Sequence, residues 1–199
     1  TFADAPIGQS LIDFARQYPD IVLDIRLDDR FVDLVEEGFD MAIRISRLEN
    51  SSLIARRLAP FSVRLCAAPE LIAKYGVPAR PQDLSRIPCI VDTNGRSLAN
   101  WPFKGDNGDA TSVPVSGPIE VNSPMAARAA AVAGLGFAIL PDFIAAPDIE
   151  GGRLVSALDD RILSGGGIFA VYPHRRYLPA KVRVFVDFLV QWFKTTDVS

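Results

Sequence analysis

The chain has 199 residues, 49% of them hydrophobic, with a mean hydropathy of +0.18, enough to fill one large core or two small ones and too apolar for a disordered chain. Its 21 basic and 24 acidic residues give a formal charge of −3 and a pI near 5.2; with no Lys/Arg block to neutralise phosphates, strong nucleic-acid binding by this chain alone is excluded. No apolar run reaches the ~20 residues of a membrane-spanning helix, "TFADAPIGQS" lacks the basic-then-apolar pattern of a signal peptide, and Thr1 in place of Met is expected of a fragment.

Asp4 caps a predicted helix that carries Pro6 in its first turn and Ile7, Leu11, Phe14, Ala15 and Tyr18 on one stripe, ended by Pro19. In "IVLDIRL" the residues Ile21, Leu23, Ile25 and Leu27 alternate with Val22, Asp24 and Arg26, the period of a strand. Asp29 then caps a short helix with Phe31, Leu34 and Val35, stopped by Gly38. A buried strand from Phe39 to Ile45 follows, leading into a polar loop with Ser46, Arg47, Glu49, Asn50, Ser51 and Ser52. "FSVRLCA" (61–67) reads as a strand and "PELIAKYG" as a helix ended by Gly76, before an irregular stretch rich in Pro, Gly, Asn and Asp from 76 to 118. "GPIEV", the Ala-rich helix "NSPMAARAAAVAG", "FAILP", "GIFAVYP" and a last helix striped by Val182, Phe185, Val186, Leu189, Val190 and Phe193 complete the chain. Alternating strands and helices predict an α/β architecture with mostly parallel sheets.

The motifs yield no catalytic constellation. Gly134 and Gly136 in "AGLGF" follow a helix and lead into a strand, the reverse of the order a dinucleotide-binding loop requires, so a helix C-cap and tight turn is expected. His174, the sole histidine, sits in an Arg-rich link with no G-x-S-x-G serine in the chain to serve, and is expected to be solvent-exposed. Cys66 and Cys89 lie inside apolar runs, the pattern of buried thiols in a reducing cytoplasm rather than of a disulfide framework or a zinc site. Glu36, Glu37 and Asp40 cluster at a solvated helix end; Asp40 and Arg44 stand about 13 Å apart along a strand at ~3.3 Å per residue, too far to pair. No metal site and no cofactor are expected. Asn122-Ser123-Pro124 is a helix start without an acidic residue in its first turn, which leaves two readings open: an ordinary cap, or a carboxylate-binding N-terminus.

The stretch from Phe14 to Leu58 carries Tyr18-Pro19, Leu23-Asp24, Asp33-Leu34-Val35, Glu37-Gly38, Asp40, Ala42-Ile43-Arg44, Ser51-Ser52-Leu53 and Ala55-Arg56 at a distinctive spacing. With "AAPELIAKYGVPARPQDLSRIPCI", "AAVAGLGFAILPDF" and "AVYPHRRYLPAKVRVFVDFL", this pattern resembles, over essentially the whole chain, the effector-binding (substrate-binding) domain of LysR-type transcriptional regulators. The resemblance implies an α/β fold of two Rossmann-like lobes joined by two crossover segments, like a type 2 periplasmic binding protein. The first lobe is expected over 1–67 and 169–199 and the second over 68–168, with "RLCAAP" and "GIFAVYP" as crossovers and an N-terminal winged helix-turn-helix absent from this chain.

By that resemblance a small effector binds between the lobes. The lining expected is Thr1 and Phe2, Ile45, Ser46 and Arg47, Ala67 and Ala68, Trp101 and Phe103, Asn122 and Ser123, and Pro141. Hydroxyl and amide groups of Thr1, Ser46, Asn122 and Ser123 suit a carboxylate, and Phe2, Trp101 and Phe103 suit an apolar or aromatic body. Strand alternation turns Arg44 away from the side of Ile43 and Ile45 and leaves Arg47 the freer of the two to reach an anion. The resemblance also implies a homodimer or tetramer, with Gln9, Ser10, Asp13 and Arg16 of the first helix facing Met125, Arg128 and Ala129 of a partner. DNA would be bound only through the missing N-terminal domain, in the cytoplasm and without a membrane. A stand-alone solute-binding protein of a transporter is the alternative, and an enzyme on the same scaffold the least supported reading.

Overall fold

In the structure, a computed structural model, residues 6–27, 33–46, 53–93, 99–163, 166–173 and 178–196 are described. The chain divides into two units, Thr1–Phe61 with Gly165–Ser199 and Ser62–Ser164. Expected at 67/68 and 168/169, the division falls a few residues earlier because hydrogen bonding assigns the strands. Val63–Ala67 pairs with Ala138–Pro141 and Val155–Ala157 in the second unit, and Gly166–Ile168 pairs with Ala59–Phe61 in the first.

The first unit contains α1 (Pro6–Gln17), β1 (Ala42–Ser46), β2 (Leu53–Phe61), β10 (Gly166–Pro173) and α5 (Ala180–Thr195). Its sheet has the order β1-β10-β2 and is antiparallel throughout. Ile168, Ala170 and Tyr172 of β10 pack with Ile43 and Ile45 against the α5 stripe Val182, Val186, Leu189, Val190 and Phe193. Phe169 and Val171, on the opposite face, pack with Leu34, Phe39, Ala42 and Ala55. β10 is therefore covered on both faces, which is why it reads as an apolar run. Phe14 of α1 is fully buried and stacks on Tyr18, with centroids 4.7 Å apart, and against Phe185 at 4.5 Å.

The strand expected at 21–27 does not form: none of the described residues pairs with it, and Val22 is 93% exposed and Leu27 62%. Period-2 alternation supplies a strand-shaped sequence, but a strand exists only where a neighbour takes its N–H and C=O groups. Of the short helix expected after Asp29, Asp29 and Phe31 lie outside the described residues, and residues 34–38 are turn, with the Asp33 side chain accepting from the N–H groups of Val35 and Glu36. Gly38 stops it as expected, at φ +74.

The second unit contains β3 (Val63–Ala67), α2 (Pro69–Tyr75), a 3-10 turn (Pro81–Arg86), β4 (Ile90–Asp92), β5 (Asn100–Lys104), β6 (Ala110–Pro114), β7 (Ile119–Val121), α3 (Pro124–Val132), β8 (Ala138–Pro141), α4 (Asp142–Glu150) and β9 (Val155–Ala157). Sheet order is β8-β3-β9, antiparallel, with a parallel pair β4-β7 and an antiparallel hairpin β5-β6. The expectation of mostly parallel sheets is thus corrected: among the described strands only β4-β7 is a parallel pair, because most strand neighbours approach from opposite chain directions. The "irregular" middle hides the β5-β6 hairpin, whose turn uses Gly108 at φ +83. α3 ends in a Schellman arrangement, Leu135 N–H to Ala130 C=O and Gly134 N–H to Ala131 C=O, with Gly134 at φ +73. Gly136 does a different job: a Cβ there would sit 2.9 Å from the Pro88 carbonyl oxygen, so its bareness allows Phe137 to bridge Cys89.

Candidate functional site

Of the residues expected to line the effector site, Thr1, Phe2 and Arg47 lie outside the described residues, as does His174. Ile45 is half-buried in the α5 cluster. Ser46 ends β1, in register with Gly167. Arg44 stands on the opposite face from Ile43 and Ile45, in register with Phe169, as the alternation required. Desolvation holds its guanidinium below the ordinary arginine value, offset in part by the charge of Asp33.

In the second unit Ala67 and Ala68 are buried. Trp101 and Phe103, expected to offer an aromatic surface, are 6% and 0% exposed and belong to the core with Leu65, Leu84, Val113 and Phe137. The reason is the strand pleat: in β5, Trp101 and Phe103 share the inward face while Asn100, Pro102 and Lys104 face water. Asn122 is exposed, Ser123 half-buried and Pro141 half-buried at the end of β8.

Ser123 takes the N-cap position of α3 with extended backbone, yet its hydroxyl makes no capping bond. Pro124 follows at the first helical position, and the first turn holds no acidic residue. An uncapped helix start leaves N–H groups and the positive end of the helix dipole to meet a solvent molecule or an anion.

The residues expected at a partner surface separate into two groups. Gln9, Arg16, Met125 and Ala129 are exposed. Ser10 is fully buried and donates to the Ile7 carbonyl at 2.7 Å, which removes it from any outer face. Asp13 accepts from Trp192 Nε1 at 3.0 Å and from Gln9 at 2.8 Å. The indole bond, with the Gln9 bond, holds its carboxyl below the usual range. Arg128 is turned inward to Asp148.

Asp148 of α4 gathers a buried cluster that spacing alone does not single out. Asp148 is 0% exposed and accepts from Arg128 Nε at 2.5 Å and Nη2 at 2.9 Å and from Arg153 Nε at 2.6 Å. Burial alone would raise its pKa; the two guanidiniums outweigh that and hold it low. A signal existed: Asp148 falls on the buried stripe of α4 with Ile144 and Ala145, and a charge on an apolar stripe demands a partner.

Cys66 and Cys89 are free and buried, and burial pushes both thiols up to about 12. They sit on opposite edges of the same strand, Cys66 beside Ala138 and Cys89 beside Phe137. Two strand spacings put their Cα atoms ~9.5 Å apart, beyond disulfide reach. Among the described residues no group of three His, Cys, Asp or Glu is gathered as a metal site, and no helix is long and apolar enough to cross a membrane. A cavity of about 420 Å3 opens between α2 and the end of α3, walled by Leu71, Tyr75, Pro88, Leu135 and the pair Glu70 and Lys74, and includes none of the expected residues.

A family model described as the LysR substrate binding domain matches residues 1–194. The chain belongs to the LysR substrate-binding domain family. Among its curated relatives, the HTH-type transcriptional regulator PtxR of Pseudomonas aeruginosa is 35% identical over 88% of this chain and 56% of its own length. The HTH-type transcriptional regulator DmlR of Escherichia coli is 34% identical over 96% of this chain and 62% of its own. This LysR domain therefore spans about three fifths of the length of the relatives it matches. Among solved structures, the CrgA regulatory domain, a LysR-type transcriptional regulator from Neisseria meningitidis, superposes with a TM-score of 0.77 at 29% identity, covering 96% of this chain and 93% of that one. Full-length AphB of Vibrio cholerae gives 0.79 at 25% identity, over 96% of this chain and 65% of that one. The fold is accordingly the two-lobed, periplasmic-binding-protein-like α/β fold, and the chain is the effector-binding domain of a LysR-type regulator. The relatives named are regulators, so the transporter alternative gains no support and no enzymatic activity is indicated.

Proposed function

We propose that this domain senses a small organic acid and transmits its binding to a DNA-binding head carried elsewhere in the full protein, as part of a homodimer or higher oligomer. The observation that carries the reading is the start of α3. The Ser123 hydroxyl is uncommitted to capping, the first turn lacks an acid, and Asn122 stands beside it. Orphan N–H groups, a hydroxyl and the helix dipole together favour a carboxylate. Pro141, half-buried at the end of β8, adds surface in the same unit, whereas the buried Ala67 and Ala68 offer none; Thr1, Phe2, Ile45, Ser46 and Arg47 are the further residues expected of an effector site. Trp101 and Phe103 are buried in the core of the second unit and are not contact surface. An aromatic body on the acid then needs other apolar partners. For the oligomer, Gln9 and Arg16 of α1 and Met125 and Ala129 of α3 are the exposed members of the expected surface.

A thermal-shift screen against small mono- and dicarboxylic acids tests this directly. A binder at about 100 times its Kd stabilises the fold by ~2.7 kcal/mol. The expected result is a shift in the wild type that is reduced in Ser123→Ala and Asn122→Ala. No shift with any acid, or equal shifts in both variants, would remove the reading.

A further inference from the structure

The three-stranded sheet of the first unit carries one row of side chains that the effector reading does not use. Arg44 of β1, Phe169 of β10 and Arg57 of β2 are register partners, and so project from the same face. Two strand spacings set the Cα atoms of the two arginines ~10 Å apart, a distance that lets both guanidiniums converge over the ring between them.

Three features shape the row. A register shift between Ile168 and Phe169 gives β2 one extra residue. Leu58 and Ala59 both drop into the α5 cluster, while Arg57 keeps the opposite face. Bulges commonly re-aim a side chain in this way. Gly167 is bare where a Cβ would stand 2.8 Å from the Phe169 ring and 3.2 Å from Arg57 Nε, so the ring and the guanidinium share the space above it. The other end of the face is closed by Leu34, Phe39, Ala42 and Val171, which confines the polar part to the arginine end.

The charges are unevenly answered. Asp33 acts on Arg44, whereas Arg57 is exposed and takes part in no ion pair or hydrogen bond with the described residues. Arg57 can take one carboxylate through two parallel N–H donors, and Arg44, while it also answers Asp33, presents the second positive charge to the other.

We propose that the Arg44–Phe169–Arg57 row is a second binding site, for a small dicarboxylate that bridges the two guanidiniums above the buried Phe169 ring. It is distinct from the α3 start and does not depend on it. Binding of succinate to the chain, measured by calorimetry, is the test, with butyrate as the monoacid control. Succinate is expected to bind about tenfold or more tightly than butyrate, and to lose about that factor in Arg57→Gln and Arg44→Gln. Arg56→Gln, on the opposite face in register with Ala170, should bind as the wild type does. Arg57→Lys keeps the charge but not the paired donors, and should recover only part of the affinity. Thermal melts of each variant confirm that the fold is retained, and amide shifts of Gly167 on titration report occupancy of the row. Absent succinate binding, equal affinity in Arg57→Gln and Arg56→Gln, or a loss confined to Ser123→Ala would each overturn the proposal.

Discussion

In the first unit Asp13 of α1 is tied to α5 by a neutral donor, Trp192 Nε1 at 3.0 Å, at the rim of a packed aromatic group that includes Phe14, Tyr18, Phe185 and Phe188. In the second unit Asp148 of α4 is fully buried and bound by Arg128 of α3 and Arg153, among small residues such as Ala127, Ala131 and Ala145. Both carboxylates join helices, and both are held below the usual carboxylate range. The difference lies in what surrounds them. Large aromatic rings bury enough apolar area to fix α1 on α5, so Asp13 is an addition. An Ala-rich helix buries little per residue, and a charge already desolvated beside it makes its partners indispensable.

Four measurements bear on that contrast. The largest effect is expected in the aromatic group: Phe14→Ala removes a 0%-exposed ring and should cost about 4 kcal/mol in chemical denaturation. Next, Asp148→Asn, which leaves two guanidiniums facing a neutral amide, should cost about 3 kcal/mol, and Asp13→Asn distinctly less. An equal loss in the two asparagine variants would break the contrast. The third is acid sensitivity. A folded pKa lowered from the ordinary 3.8 contributes stability that is fully present above that value and lost as pH falls below it. The wild type should therefore lose stability on acidification below about pH 4, and Asp148→Asn should show a shallower slope there. The smallest effect is at the thiols. With Cys66 and Cys89 pushed up to about 12 and buried, labelling by a disulfide reagent at pH 7 should proceed only as fast as the protein opens, and oxidation should yield no internal disulfide.

Features with a local signal are legible in the sequence. The stripe of α5, the stop at Gly38, the Schellman glycine at 134 and the burial of both cysteines each follow from spacing within a few residues. Features that depend on a distant partner are not. The segment 21–27 has strand period but no described neighbour, while β2 and β6, which carry no such signal, pair with β10 and β5. Trp101 and Phe103, expected to face an effector, face the core instead, because an apolar side chain on a strand fits either destination until the sheet is packed.

The candidate site shows the same boundary. Asn122-Ser123-Pro124 as a helix start, and the lack of an acid in its first turn, belong to the sequence alone, since capping is decided within four residues. So does membership of the LysR family, whose pattern runs the length of the chain. That the Ser123 hydroxyl makes no capping bond, that Ser10 and Arg128 face inward, and that Arg44 and Arg57 stand in register on either side of Phe169 were decided only by tertiary structure. The physical reason is range: helix caps and stripes are short-range sterics and hydrogen bonds, whereas burial, ion pairing and cross-strand register exist only once residues far apart in the chain are brought together.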